Sequence, residues 1–286
     1  MTDRQGPDGG KRQPAEIDID IVTAQPARIY NYLAGGDANF AVDREAVDQA
    51  ATILPGGFET VRRSVAAITG FQARAVRFLV VEAGITQFLK LGTAVPEGED
   101  VHELVQSLTG GSRVVYVGND PTVLAHAHAL RQSRPEGVTG YVHGTVLDVD
   151  AIVEQAAETL DLRRPLAILM PATLNFVTDE HDAYGTMARF VGAVASGSYL
   201  ALTHSSPDLR SDRMQEAADK FAKLLRGTYV VRSYDEIARF FDGLGLVDPG
   251  LVQIDRWRPS ADEAAEAETG ADQPVNPIYV GVARKP

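Results

Sequence analysis

The chain has no cysteine in its 286 residues. Disulfides, thiolate nucleophiles and cysteine-ligated zinc are therefore excluded. No unbroken apolar run approaches the ~18 residues of a membrane span, and the opening, MTDRQGPDGGKRQP, lacks the apolar centre of a secretion signal. Basic residues are scarce relative to acidic ones, 27 against 39, giving a formal net charge of -12. A field of that sign repels phosphate backbones and anionic bilayers, so neither nucleic acid nor membrane is expected as a partner. A cytoplasmic location is expected. There is no internal repeat, no phosphate loop of the G-x-x-x-x-G-K-[ST] type and no G-x-G-x-x-G fingerprint, which disfavours nucleotide phosphates.

What is present is an ordinary globular composition, 44% hydrophobic and 23% charged, on a length that suits one α/β domain. Residues 1–16 are rich in Gly, Pro and charge and read as a disordered tail. Residues 17–84 read as a helical segment covering a pocket: Pro26–Leu33 opened by its proline and stopped by Gly35-Gly36, then Asp43–Thr52, then Phe58–Ala83 with a break near Gly70. From 85 to 286 short apolar strands alternate with helices. The strands are Thr86–Leu91, Arg113–Val117, Gly140–His143, Pro165–Met170 and Ser198–Thr203; the helices are Val101–Leu108, Pro121–Gln132, Val149–Leu160 and His181–Val194. This alternation predicts a doubly wound, mostly parallel Rossmann-like sheet. Helices over Asp208–Leu225 and Tyr234–Leu244 follow. Leu251–Trp257 and Pro277–Ala283 are then expected to pair as an antiparallel C-terminal hairpin, with the acidic loop 260–273 between them.

Such a sheet binds ligands beyond the carboxyl ends of its strands, where the strand order reverses. Here that edge comprises 91–94, 117–120, 144–146, 170–172 and His204-Ser205. His204 is the best-placed general base, and a histidine bonded to a loop carbonyl is its structural alternative. His126 and His128 are two apart on one helix and face different ways, and His143 with His204 lacks a third ligand, so no metal is expected. Lys90, ending a buried strand, needs a counter-charge, for which Asp37 is a candidate. Tyr30, Tyr32, Asn39 and Phe40 are placed to close a lid.

Several segments carry a resemblance: PARIYNYLAGGDANFAVDREAVD (26–48), RAVRFLVVEAGITQFLKLGTAVP (74–96), RVVYVGNDPTVLAHAHAL (113–130), NFVTDEHDAYGTMARF (175–190), SGSYLALTHSS (196–206) and EIARFFDGLGLVDPGLVQIDRWRP (236–259). In these the chain resembles a family of bacterial S-adenosylmethionine (SAM)-dependent methyltransferases, long catalogued as a domain of unknown function, over nearly its whole length from Pro26. The resemblance implies a class I methyltransferase fold with an N-terminal helical extension over the cofactor. It implies SAM at Lys90, Gly92 and Thr93, at Gly118, Asn119 and Asp120, and at Thr145 and Val146; Met170, at the sheet edge after the fourth strand, is a further cofactor candidate. Gly35, Gly36 and Asn39 are further candidates for the cofactor side, and Tyr32, Asn175 and Tyr184 for a small-molecule substrate.

The chain departs from the family pattern at informative positions. Lys90 stands where the family has an acid, Ala94 where it has a second glycine, Gly118 where it has the ribose-binding acid, Thr145 for Asp and Asn175 for His. Three functions are therefore expected to compete: SAM-dependent methyl transfer to a small metabolite, a cyclisation or rearrangement in the same cavity, or ligand binding without catalysis.

Overall fold

The computed structural model describes residues 19–52, 56–93, 99–123, 125, 137–209, 212–225, 229–261, 263 and 276–286. The tail 1–16, Ala94, His126, His128, most of the helix expected from Pro121 and most of the loop 260–273 lie outside the described residues.

Helices α1 (Pro26–Ala34), α2 (Ala41–Ala51) and α3 (Gly57–Val81) come first. Then follow β1 (Gln87–Leu91), α4 (Val101–Leu108), β2 (Arg113–Gly118), β3 (Val138–His143), α5 (Val149–Ala156), β4 (Ala167–Met170), α6 (Ala183–Ala193) and β5 (Tyr199–Ser205). The chain continues with α7 (Asp212–Leu224), α8 (Tyr234–Ala238), β6 (Gly245–Leu246), β7 (Val252–Gln253) and β8 (Ile278–Arg284). The sheet order is β3-β2-β1-β4-β5-β8-β6, with β7 also on β8. β1 to β5 are parallel, and β8 runs antiparallel to β5, β6 and β7. The order reverses between β1 and β4, so the crevice for a ligand opens at their carboxyl ends.

Period-two alternation divides the core into two layers. Leu89, Leu91, Val115, Val117, Ile168, Met170, Leu200 and Leu202 face α5 and α6. Phe88, Val114, Tyr116, Ala167, Leu169 and Ala201 face α3 and α4. Strands buried on both faces carry no polar alternation, which is why they read as plain apolar runs. Helix α3 is long and apolar enough to span a membrane by length and composition, but Phe71, Ala75, Val76 and Leu79 of its inner face are spent on the sheet. Trp257 is fully buried beneath it, edge-on to Phe71 at 5.3 Å.

Some expected elements are redrawn. Helix α3 passes through Gly70 without a break. The segment Tyr234–Leu244 is a short helix followed by a 3-10 turn at Arg239–Phe241, and Gly245–Leu246 is a strand. Leu251–Trp257 holds only a two-residue strand before the turn Ile254–Arg256. Residues 277–283 pair with it antiparallel as expected, over a short stretch, Val252 opposite Val280 and Gln253 opposite Tyr279. β8 makes its longer pairing with β5, Tyr199 opposite Arg284 through Ser205 opposite Ile278.

Candidate functional site

A cavity of about 410 Å³ lies at the carboxyl ends of β1, β2, β3 and β4, roofed by α1. Its floor is made by two loops locked together. The Thr173 hydroxyl donates to the Leu91 carbonyl at 2.6 Å, and the Gly92 N–H donates to the Val117 carbonyl at 3.0 Å. Gly92 has φ +79°, and a Cβ there would lie 2.3 Å from Thr173 Oγ1. Only glycine fits this turn, on conformation and on space alike.

Lys90 enters the cavity from the α3/α4 face of the sheet, opposite Tyr116 in register. Its counter-charge is Asp100, with Nζ 3.1 Å from Oδ1, and not Asp37. Asp100 caps α4 by accepting the Val101 N–H at 2.7 Å, inside a capping box with Glu103. Burial pushes the Asp100 carboxyl up, but the Lys90 charge and the Val101 N–H outweigh it and hold the group below the usual carboxylate range. Lys90 Nζ also lies 5.4 Å from the centre of the Tyr116 ring. Burial, then the Asp100 charge, raise the Tyr116 phenol well above its ordinary value. The lysine is thus an internally neutralised member of a buried cluster. Glu99, Asp100 and Asp120 line the cavity against this one ammonium, so the described lining keeps an excess of negative charge.

Asp120 is 5% exposed; its Oδ1 accepts the Thr122 N–H at 2.7 Å. Among the described residues its Oδ2 has no hydrogen-bond partner, and it lies 3.8 Å from Arg28 Nη1. Arg28, buried behind it, is held 3.0 Å from Asp43 and donates to the carbonyls of Asp20 and Thr23. Gly118 offers no side chain, and a Cβ there would be 3.0 Å from Thr93 Cγ2.

Of the expected cofactor residues, Lys90, Gly92, Thr93, Gly118, Asn119, Asp120, Thr145 and Val146 line this cavity. The others do not. Met170 is fully buried in the layer facing α6, and the next residues, Pro171 and Ala172, reach the cavity in its place. Gly35 and Gly36 close α1. Gly35 is left-handed (φ 98°), and the N–H groups of Gly35 and Gly36 donate to the Tyr32 and Asn31 carbonyls, which is a Schellman cap. Asn39 ties that turn down, donating to Asn31 Oδ1 and the Gly36 carbonyl. Tyr32 points away from the cavity and packs against Phe58, while Tyr30 on the adjacent face of α1 lines it. Tyr184 stacks on Phe240 and donates to the Glu236 carbonyl.

His204 is enclosed rather than poised as a base. It is fully buried; the Arg232 guanidinium donates to its Nε2 at 2.9 Å, and Nδ1 lies 2.8 Å from the Ser205 carbonyl. A guanidinium only donates, so Nε2 accepts and the ring proton sits on Nδ1, given to that carbonyl. Neither nitrogen is left for a substrate proton. Asn175 is fixed by the Val230 carbonyl and the Ser205 N–H, and it lines a second cavity. Glu99, Asp100, Phe176 and His181 were not singled out by sequence reasoning. Only the Asp-x-x-Glu cap signature before α4 marked Asp100.

A parallel sheet with this order, an antiparallel strand set between β5 and the edge, and a crevice at the β1/β4 reversal define the class I methyltransferase fold. A family described as S-adenosyl methyltransferase matches residues 12–286, and the chain belongs to that family. The structure of a DUF574 family protein from Streptomyces avermitilis is 38% identical, with TM-score 0.87 over 94% of this chain and 100% of that one. A protein of Thermobifida fusca YX, provisionally named a methyltransferase, is 32% identical with TM-score 0.80 over 93% of this chain and 96% of that one. Mitomycin 7-O-methyltransferase, at 15% identity and TM-score 0.50 over 92% of this chain and 69% of that one, shares the fold alone. No match was found among curated proteins.

Proposed function

We propose that this protein is a SAM-dependent methyltransferase that seats SAM in the 410 Å³ cavity and methylates a small molecule in the cytoplasm. The observation that carries the reading is the charge arrangement: among the described lining residues there are three carboxylates and one lysine, which is paired to Asp100, while Arg28, 3.8 Å from Asp120, is itself held by Asp43. A ligand bearing a sulfonium and an ammonium group meets a favourable field there despite the missing acid at position 90. When bound, SAM would supply an electrophilic methyl group to a nucleophilic atom of the acceptor. The chain contributes position and dryness. Gly92 and Thr93 give the amino-acid end a backbone edge, and Thr145 and Val146 border the base. Asp120 Oδ2, buried, without a hydrogen-bond partner among the described residues and 3.8 Å from Arg28 Nη1, is the carboxylate we assign to the ribose hydroxyls that Gly118 cannot reach.

Titration calorimetry with S-adenosylhomocysteine and SAM tests this. Micromolar binding is expected, weakened about tenfold or more by Asp120→Asn, which keeps an acceptor for the Thr122 N–H but removes the charge. Absence of binding at millimolar ligand overturns the reading.

A further inference from the structure

A second cavity, of about 180 Å³, adjoins the first. Pro26, Tyr30, Ala172 and Phe176 border both. Its walls come from α1, α2, α3 and α7 and from the ends of β5 and β8, so it lies on the β4/β5 side of the polar chamber. The two differ in chemistry. The larger carries carboxylates, a lysine and an imidazole; among the described residues lining the smaller there is no Asp, Glu, Lys, Arg or His. Ile29, Leu33, Val47, Val65, Ile68 and Phe221 dominate it. Its polar groups at the β5 end are the Asn175 amide, already engaged by the Val230 carbonyl and the Ser205 N–H, and a linked pair of hydroxyls, Tyr229 and Ser205, 3.0 Å apart. Phe176 and Phe221 stand edge-on to the Tyr229 ring at 5.6 and 5.2 Å, which makes an aromatic corner around that pair.

We propose that this smaller cavity seats the methyl acceptor, and that the acceptor is neutral: a single aromatic or similarly flat apolar ring carrying one hydroxyl group, held by Ser205 and Tyr229. The assignment as acceptor rests on the SAM reading of the larger cavity; the ligand chemistry rests on the smaller cavity alone. Size argues for one ring, since an apolar cavity of ~150 Å³ takes benzene. Charge argues for neutrality, because an ion placed among these residues has no counter-charge to replace its water. The hydroxyl pair, which both donates and accepts, suits one oxygen at one end of the ring. Ala172 gives the shared wall a separate mark of function. It is a non-glycine residue at φ 55°, its N–H tied to Thr203 Oγ1 at 2.8 Å, and backbone held in that region clusters at working sites.

Three probes share a ring and a hydroxyl and differ in charge: p-cresol, 4-hydroxybenzoate and tyramine. Each is titrated into the whole protein at pH 7, with and without saturating S-adenosylhomocysteine. The expected result is p-cresol binding at least a hundredfold tighter than either charged probe, in both conditions. Ser205→Ala should weaken p-cresol about tenfold. Ala50→Phe, which fills the smaller cavity from α2, should abolish p-cresol binding and leave the affinity for S-adenosylhomocysteine unchanged. Charged probes binding as well as p-cresol, or p-cresol failing to bind, overturns the proposal; if Ala50→Phe does not fold, the probe series and Ser205→Ala decide it. Failure of S-adenosylhomocysteine alone overturns the cofactor reading, while p-cresol binding still upholds the ligand class of the smaller cavity.

Discussion

Lys90 illustrates how one residue can mislead when only its own position is known. A lysine in place of an acid reads as a two-unit change in charge, but Asp100 cancels it from a loop ten residues on. The pair is nearly buried, so removing one partner leaves an uncompensated ion. Lys90→Met is expected to cost about 3 kcal/mol in urea unfolding at pH 7, and adding Asp100→Asn should recover most of it. The pH dependence follows from the lowered Asp100 value. A depressed folded-state carboxyl contributes stability above its ordinary value near 4 and loses it as pH falls through the folded value. The gap between wild type and Lys90→Met should therefore narrow below about pH 4; an equal gap at both pH values would refute the ion-pair account. His204 teaches the complementary lesson. The end of a parallel strand is where a base is expected, yet Arg232, 28 residues later, covers it. Neither cover was legible, because each depends on where a distant loop folds back.

At the scale of elements, the parallel strands were legible because burial on two faces leaves nothing but apolar residues. The short strands β6 and β7 were not, since two residues carry no period. Glycines were ambiguous for a different reason: a Gly pair signals both a helix cap and a close approach to ligand. Gly35 and Gly36 prove to be a cap, whereas Gly92 is required by the turn under the crevice. A Cβ at Gly35 would meet nothing within 4 Å, so Gly35→Ala carries only the cost of a left-handed alanine. It should lower stability by about 1 kcal/mol, read as a drop in melting temperature, and leave the affinity for S-adenosylhomocysteine unchanged. A large loss of affinity without loss of stability would return Gly35 to the site.

Across the whole molecule, the N-terminal helices and the sheet meet at a seam, and Tyr30 stands in it between the two cavities. Burial raises its phenol to about 12. Between pH 10 and 12 the unfolded chain loses this proton while the folded chain keeps it, so stability falls as pH rises through that window. Tyr30→Phe should flatten the alkaline limb of a stability–pH profile; an unchanged slope would mean that the seam is wetter than its packing indicates. The family and the parallel sheet could be read from sequence, as could the larger cavity's loops after β1, β2 and β3. The smaller cavity could not, since its wall is assembled from residues as distant as Ile29 and Ile278.

The late position of β8 in the chain has a consequence for biosynthesis. Among the described residues β5 finds its second neighbour, and β6 and β7 their paired partner, in residues 278–284. While the ribosome is still making the chain, the parallel half can assemble, but β5 carries an open edge until residue 284 has emerged. A nascent or truncated chain ending before Ile278 thus displays an unpaired apolar strand, the kind of surface that chaperones hold and aggregates recruit.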